Sequence, residues 1–169
     1  MRRGIILLGI LFIFMAGNAQ TGIPKAQAMF IYNFSRLIEW PANYKSGNFV
    51  IGVLGSSPTY DELLKYTAGK SVGSQKISVK KFNSVAEITT CHILFVPFAK
   101  TKTLESSNQM FANKSTLLIT EKNGGTDSGS AINFVIVGNS LKFEIKPSNA
   151  TKYKIKMSSK MVEMAYKNY

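Results

Sequence analysis

The chain has 169 residues, 45% of them hydrophobic, and carries 21 Lys and Arg against nine Asp and Glu for a net charge of +12. One cysteine and one histidine exclude an intramolecular disulfide and give no ligand spacing for a metal. Basic charge attracts nucleic acid, anionic lipid or acidic partners, but the lysines are scattered, without a long cluster.

The first residues address the chain. Arg2 and Arg3 precede an apolar run from Ile5 to Met15, and Gly17-Asn18-Ala19 places small residues before a cut after Ala19. This pattern is that of a secretory signal peptide over 1–19, and the run is shorter than the ~20 residues a spanning helix needs. No cysteine follows it to direct lipoprotein processing. The expected product is a secreted protein of one domain over 20–169, a length that suits a single core. Its two lost arginines leave a charge of +10. Nucleic acid is not an expected partner in that compartment.

Residues 25–39 read as a helix. Ala26, Met29, Phe30, Asn33, Phe34, Leu37 and Ile38 share one face at 3.6-residue spacing. Ile31 and Tyr32 lie on a second face, beside Ala28 and Ser35, that is too apolar for pure solvation. Pro24 suits the helix start, and Pro41 biases Trp40 out of the helical region and ends the helix. "NFVIGVLG" (48–55) is a buried strand. "SPTYDELLKYTAG" (57–69) is a helix capped by Ser57 or Thr59 and ended by Gly69. "KISVKKF" (76–82) alternates as a strand with one wet face, and 84–90 is a short helix or turn. "CHILFVPF" (91–98) is a second buried strand, 101–112 a helix and "STLLITE" (115–121) a further strand. "NGGTDSGS" (123–130) reads as a flexible polar loop. "AINFVIV" and "SLKFEIK" flank Gly138-Asn139 as a hairpin. "KYKIK" (152–156) alternates like a strand or extended edge, and a last helix starts near Ser158 with apolar positions at Met161, Met164 and Ala165. The expected fold is α/β. It has a mostly parallel, doubly wound (Rossmann-like) sheet flanked by helices, with a C-terminal antiparallel hairpin.

Catalytic chemistry finds little support. His92 and Cys91 are adjacent in an extended run, so they point to opposite faces and cannot pair as nucleophile and base. Cys91 reads as a small buried hydrophobe. "GKS" at 69–71 lacks the earlier glycine of a phosphate loop, and "GVLGSS" lacks the dinucleotide fingerprint. The nine carboxylates form no recognisable acid–base pair. No catalytic residue, metal or cofactor is expected.

Trp40, the single tryptophan, permits two readings. It packs the helix end onto the sheet, or it forms with Pro41 and Tyr44 one wall of a partner or small-ligand cleft. Lys156, Ser158 and Ser159, at the start of the last helix, would form the other wall. Ile31 and Tyr32 would extend a protein-binding surface.

The ordered set "KAQAMFIYNFSRLIEWP", "FVIGVLGSSP", "YTAGKSVGSQKISVKKF", "CHILFVPFAK", "STLLITE" and "GSAINFVIVGNSLKFEI", ahead of a Ser-Ser helix start, resembles the YfiR family throughout the mature chain. The resemblance implies a periplasmic α/β protein, often a homodimer. It also implies repression of an inner-membrane sensor such as a diguanylate cyclase through its periplasmic part, which restrains cyclic-di-GMP signalling and biofilm formation. Well-studied members pair cysteines; with Cys91 alone, redox control through an internal disulfide is not implied here. The expected function is that of a regulatory binding protein. A periplasmic small-ligand binder without catalysis is the alternative, since doubly wound sheets bind ligands beyond the carboxyl ends of their strands.

Overall fold

A computed structural model describes residues 22–105, 111 and 114–169. The expected signal peptide lies outside the described residues, as do 106–110 and 112–113 of the expected 101–112 helix. Helix α1 (Gly22–Ser35) buries Gln27, Ala28, Ile31, Phe34 and Ser35. That stripe is rotated from the expected face: Ile31 is fully buried, while Met29 is 40% exposed. Aromatic packing sets the rotation. The Phe34 ring lies 4.9 Å from that of Phe143 and 6.1 Å from that of Phe134, and burial of such a side chain stabilises by about 1.5–3 kcal/mol.

The helix ends at Ser35, well before the Trp40–Pro41 step. Ser35 Oγ donates to the Tyr32 carbonyl at 2.6 Å. The amides of Arg36 and Leu37 donate to the carbonyls of Asn33 and Phe34, the tighter i−3 pattern of a closing turn. Ile38–Glu39 then form strand β1, paired antiparallel with Lys156–Met157. Pro41 therefore follows a strand, and pairing with a segment distant in sequence ends the helical stretch before the proline acts.

Strand β2 (Phe49–Leu54) is buried at every position. Helix α2 (Pro58–Thr67) is capped by Ser57, whose Oγ accepts the Thr59 amide at 3.3 Å. Strands β3 (Ser71–Val72) and β4 (Gln75–Phe82) form a hairpin. A 3-10 turn at Val85–Glu87 leads to β5 (Ile93–Val96), then α3 (Thr101–Glu105), β6 (Leu117–Thr120), β7 (Ile132–Val137) and β8 (Ser140–Ile145). Helix α4 (Pro147–Lys152), β9 (Lys156–Met157), α5 (Ser159–Glu163) and β10 (Lys167–Asn168) complete the chain.

The main sheet has the order β10-β8-β7-β6-β5-β2-β4-β3. Its parallel centre, β4-β2-β5-β6-β7, starts at β2 and winds to both sides, and β7–β8 is the expected antiparallel hairpin. One face packs Phe49, Ile51, Ile93, Phe95, Leu117 and Ile119 with Ala28, Ile31 and Phe34 of α1. The other packs Val50, Leu54, Leu94, Val96 and Leu118 with Phe82, Val85, Ile88 and Phe111. This alternation along each strand is the two-residue period of a sheet buried on both sides.

Three expectations change. Residues 152–156 turn out of α4 instead of extending as one strand; only the last of them, Lys156, enters a strand, β9. The C-terminal helix has five residues, and the tail pairs parallel to β8, with the Tyr166 amide on the Phe143 carbonyl at 2.8 Å. An open sheet edge offers backbone partners that a short tail can take. The 123–130 loop is tied down: Asn149 Nδ2 donates to the carbonyls of Thr126 and Ser130 at 2.7 and 2.9 Å, and both residues are buried.

Gly52 is required by close approach. A Cβ there would lie 2.7 Å from the Phe82 ring and 2.9 Å from Cys91 Sγ, so the bare backbone lets both pack over the central strand. Burial pushes the Cys91 thiol up to about 12, and a thiol so protonated is a poor nucleophile. Alkylation of Cys91 is expected to be slow in the native protein and fast in denaturant. Equal rates in the two conditions would place the thiol at the surface.

Candidate functional site

His92 joins three segments. Its Nδ1 accepts the Val50 amide at 3.0 Å, and its Nε2 lies 2.8 Å from the Tyr44 carbonyl. A carbonyl can only accept and an amide can only donate, so the ring is neutral with its proton on Nε2. Phe49 stacks on it at 4.3 Å, while Tyr44 and Trp40 present edges at 5.4 and 5.8 Å. Burial lowers its pKa, and the bond to the Tyr44 carbonyl opposes that shift. With both nitrogens committed, the imidazole holds the 40–44 segment against the starts of β2 and β5.

A cleft of about 320 Å³ opens beside this joint, at the amino ends of the strands. Pro41, Asn43 and Tyr44 line one side. Lys114 and Ser115, which precede β6, and Lys152, Tyr153 and Lys154, which end α4, line the rest. Tyr44 Oη accepts the Ser115 amide at 3.1 Å, so the tyrosine bridges the first wall to the β6 entrance.

The expected site residues divide. Pro41 and Tyr44 line the cleft. Trp40 is 5% exposed and meets Phe49 edge-on at 5.0 Å; it packs the junction of α1 and the sheet and does not line the cleft. Its Nε1–H has no hydrogen-bond partner among the described residues. Ile31, expected at a protein surface, is a core residue with 0% exposure, because the Phe34 contacts turn its face toward the sheet. Tyr32 is half-buried, its ring 5.7 Å from that of Tyr66 and 4.6 Å from Lys70 Nζ. The expected second wall lies close by but is used otherwise. Lys156 pairs in register with Glu39, the Ser158 amide donates to the Leu37 carbonyl, and Ser158 Oγ accepts the Met161 amide. Ser159 opens the five-residue α5. The wall opposite Pro41 and Tyr44 is instead Lys152–Lys154, whose "KYK" spacing was legible as lysine density but read as a strand.

The carboxyl ends of the strands carry a second concavity. After β2, the Lys100 side chain packs against Gly55, where a Cβ would lie 2.6 Å from Lys100 Cε. The open cleft, about 400 Å³, is displaced toward β6 and β7 and lined by Ile23, Gln27, Phe98, Glu121, Ile136 and Leu141 among others. Glu121 organises it: one carboxylate oxygen accepts Gln27 Nε2 at 2.6 Å and the other the Phe98 amide at 3.1 Å. Phe98 is thereby fixed with its side chain outward, 69% exposed, and Ile136 is 55% exposed.

Among families of known proteins, the one described as YfiR/HmsC-like matches residues 24–166. No curated protein matches the chain.

The His92 geometry has a pH consequence. Its folded pKa lies below the unfolded value of about 6.5, so the unfolded state binds the proton more readily. Stability is full above that value and falls as pH drops through it toward the folded pKa. Urea denaturation at pH 8, 6 and 5 should show this decline, and His92→Gln, whose amide can accept from Val50 and donate to Tyr44, should flatten it. An unchanged slope in the variant would assign the pH dependence to other groups.

Proposed function

Because the chain belongs to the YfiR/HmsC-like family, we propose that it is a periplasmic regulatory binding protein. It restrains an inner-membrane signalling partner, such as a diguanylate cyclase, by binding the partner's periplasmic part as a homodimer. Release of that hold raises cyclic-di-GMP production on the far side of the membrane. The family match across residues 24–166 carries this reading. Among the described residues, no helix is long and apolar enough to cross a membrane.

The carboxyl-end cleft supplies the contact surface in this proposal. Phe98 and Ile136 are large apolar side chains left in water on the rim of one concavity, and aromatic anchors beside a pocket dominate the energetics of many interfaces. Glu121 holds the Phe98 backbone before any partner arrives, which lowers the ordering cost of binding. The exposed Lys156 and Ser159 and the half-buried Tyr32 are further contact points in this reading.

Pull-down of the membrane partner by Phe98→Ala and Ile136→Ala proteins tests the proposal. Capture should weaken by about 2 kcal/mol or more for an anchor residue, while the melting temperature stays near that of the parent because neither side chain is buried. Undiminished capture by both variants would move the contact away from this cleft. Absence of any cyclase or sensor from the material captured by the parent would overturn the regulatory reading itself.

A further inference from the structure

The lysine-lined cleft at the amino ends of the strands has a backbone feature that packing does not explain. Helix α4 ends in a Schellman arrangement. The Ile155 amide donates to the Ala150 carbonyl at 3.2 Å and the Lys154 amide to the Thr151 carbonyl at 3.0 Å. The residue between these turns adopts the left-handed conformation, which glycine takes without steric cost. Here it is Lys154, at φ 59°, the one non-glycine residue with positive φ among the described residues. The dipole of a helix end accounts for a lysine at 152. It gives no reason to keep a side chain at 154, where glycine would relieve strain.

The cleft supplies a reason. Lys114, Lys152 and Lys154 all line it, and among the described residues no carboxylate does. Lys114 Nζ donates to the Ile88 carbonyl at 2.5 Å and Lys152 Nζ to Asn149 Oδ1 at 3.3 Å, which leaves each ammonium further N–H donors. Two hydroxyls join them. Ser115 is 6% exposed and lines the cleft. Tyr44 Oη accepts from the Ser115 amide and keeps its own proton to donate. Like charges gathered around one concavity repel until an anion enters.

We infer that this cleft is a binding site for a phosphate-bearing anion, held by Lys114, Lys152 and Lys154 with the hydroxyls of Ser115 and Tyr44. Three ammonium groups and two hydroxyl donors match the several oxygens and multiple charge of phosphate better than the single charge of one carboxylate. Lysine binds phosphate as a mobile point charge without needing the fork geometry of arginine. The phosphate belongs either to a free small molecule or to a lipid headgroup.

The test uses the mature protein at low ionic strength, where screening is least. One arm titrates inorganic pyrophosphate calorimetrically. The other measures co-flotation with vesicles containing phosphatidylglycerol, against phosphatidylcholine vesicles. Lys154→Gly should raise the melting temperature by removing backbone strain and, in the same protein, weaken binding about tenfold, as expected for loss of a charged hydrogen-bond donor. Lys80→Gln/Lys81→Gln, which removes two exposed charges from β4, should bind like the parent. Pyrophosphate binding that is lost in Lys154→Gly identifies a free phosphate compound, and vesicle binding lost in the same variant identifies a headgroup; either supports the site. Binding of neither probe, parent-like affinity in Lys154→Gly, or an equal loss in the β4 control would overturn it, the last by showing that net charge alone attracts the anion.

Discussion

The pair of hydrogen bonds made by the His92 ring is the constraint on which the amino-end architecture depends. One nitrogen receives the first strand of the parallel sheet through Val50, and the other holds the Tyr44 carbonyl of a segment with little regular structure of its own. The ring lies among Phe49, Tyr44 and Trp40, so an unpaired ring nitrogen there would carry the full cost of desolvation. Both are paired. The 3-10 turn at Ala42–Tyr44 is thus located by a side chain that lies far along the sequence, and it in turn presents Tyr44 to Ser115 and to the cleft.

The two ends of the sheet are built for different tasks. At the carboxyl ends, Lys100 packs against Gly55 and Glu121 fixes an outward phenylalanine, which leaves an apolar rim suited to a protein. At the amino ends, the His92 joint and the end of α4 enclose lysines and hydroxyls, which suit an anion. Between the ends, every position of β2, β5 and β6 is buried.

Much of the fold was legible because buried parallel strands read as short apolar runs between turn signals. The runs at 48–55, 91–98 and 115–121 became β2, β5 and β6, and Gly138-Asn139 marked its hairpin. What was not legible depended on partners distant in sequence. The early end of α1 follows from pairing of Ile38–Glu39 with Lys156–Met157, and the tail strand follows from the free edge of β8; two-residue strands carry no periodicity. The alternation of "KYKIK" looked like a strand but records a helix end, where Tyr153 and Ile155 turn inward around Lys154. The candidate cleft was half legible. Pro41 and Tyr44 stood out beside the single tryptophan, yet Trp40 serves the core, and Lys114 and Lys154 meet only once the sheet has formed. Ile31 was placed on a surface because two apolar faces of one helix cannot be ranked without knowing which rings they meet.

The role of His92 as a neutral joint is tested most directly by long-range proton–nitrogen correlation NMR of its ring at pH 7. The account predicts a protonated Nε2 and a bare, accepting Nδ1, with both nitrogens distinct and the ring uncharged. A proton on Nδ1, or an imidazolium with two equivalent protonated nitrogens, would contradict it. Val50 would then lose its acceptor, and the 40–44 segment would need another anchor.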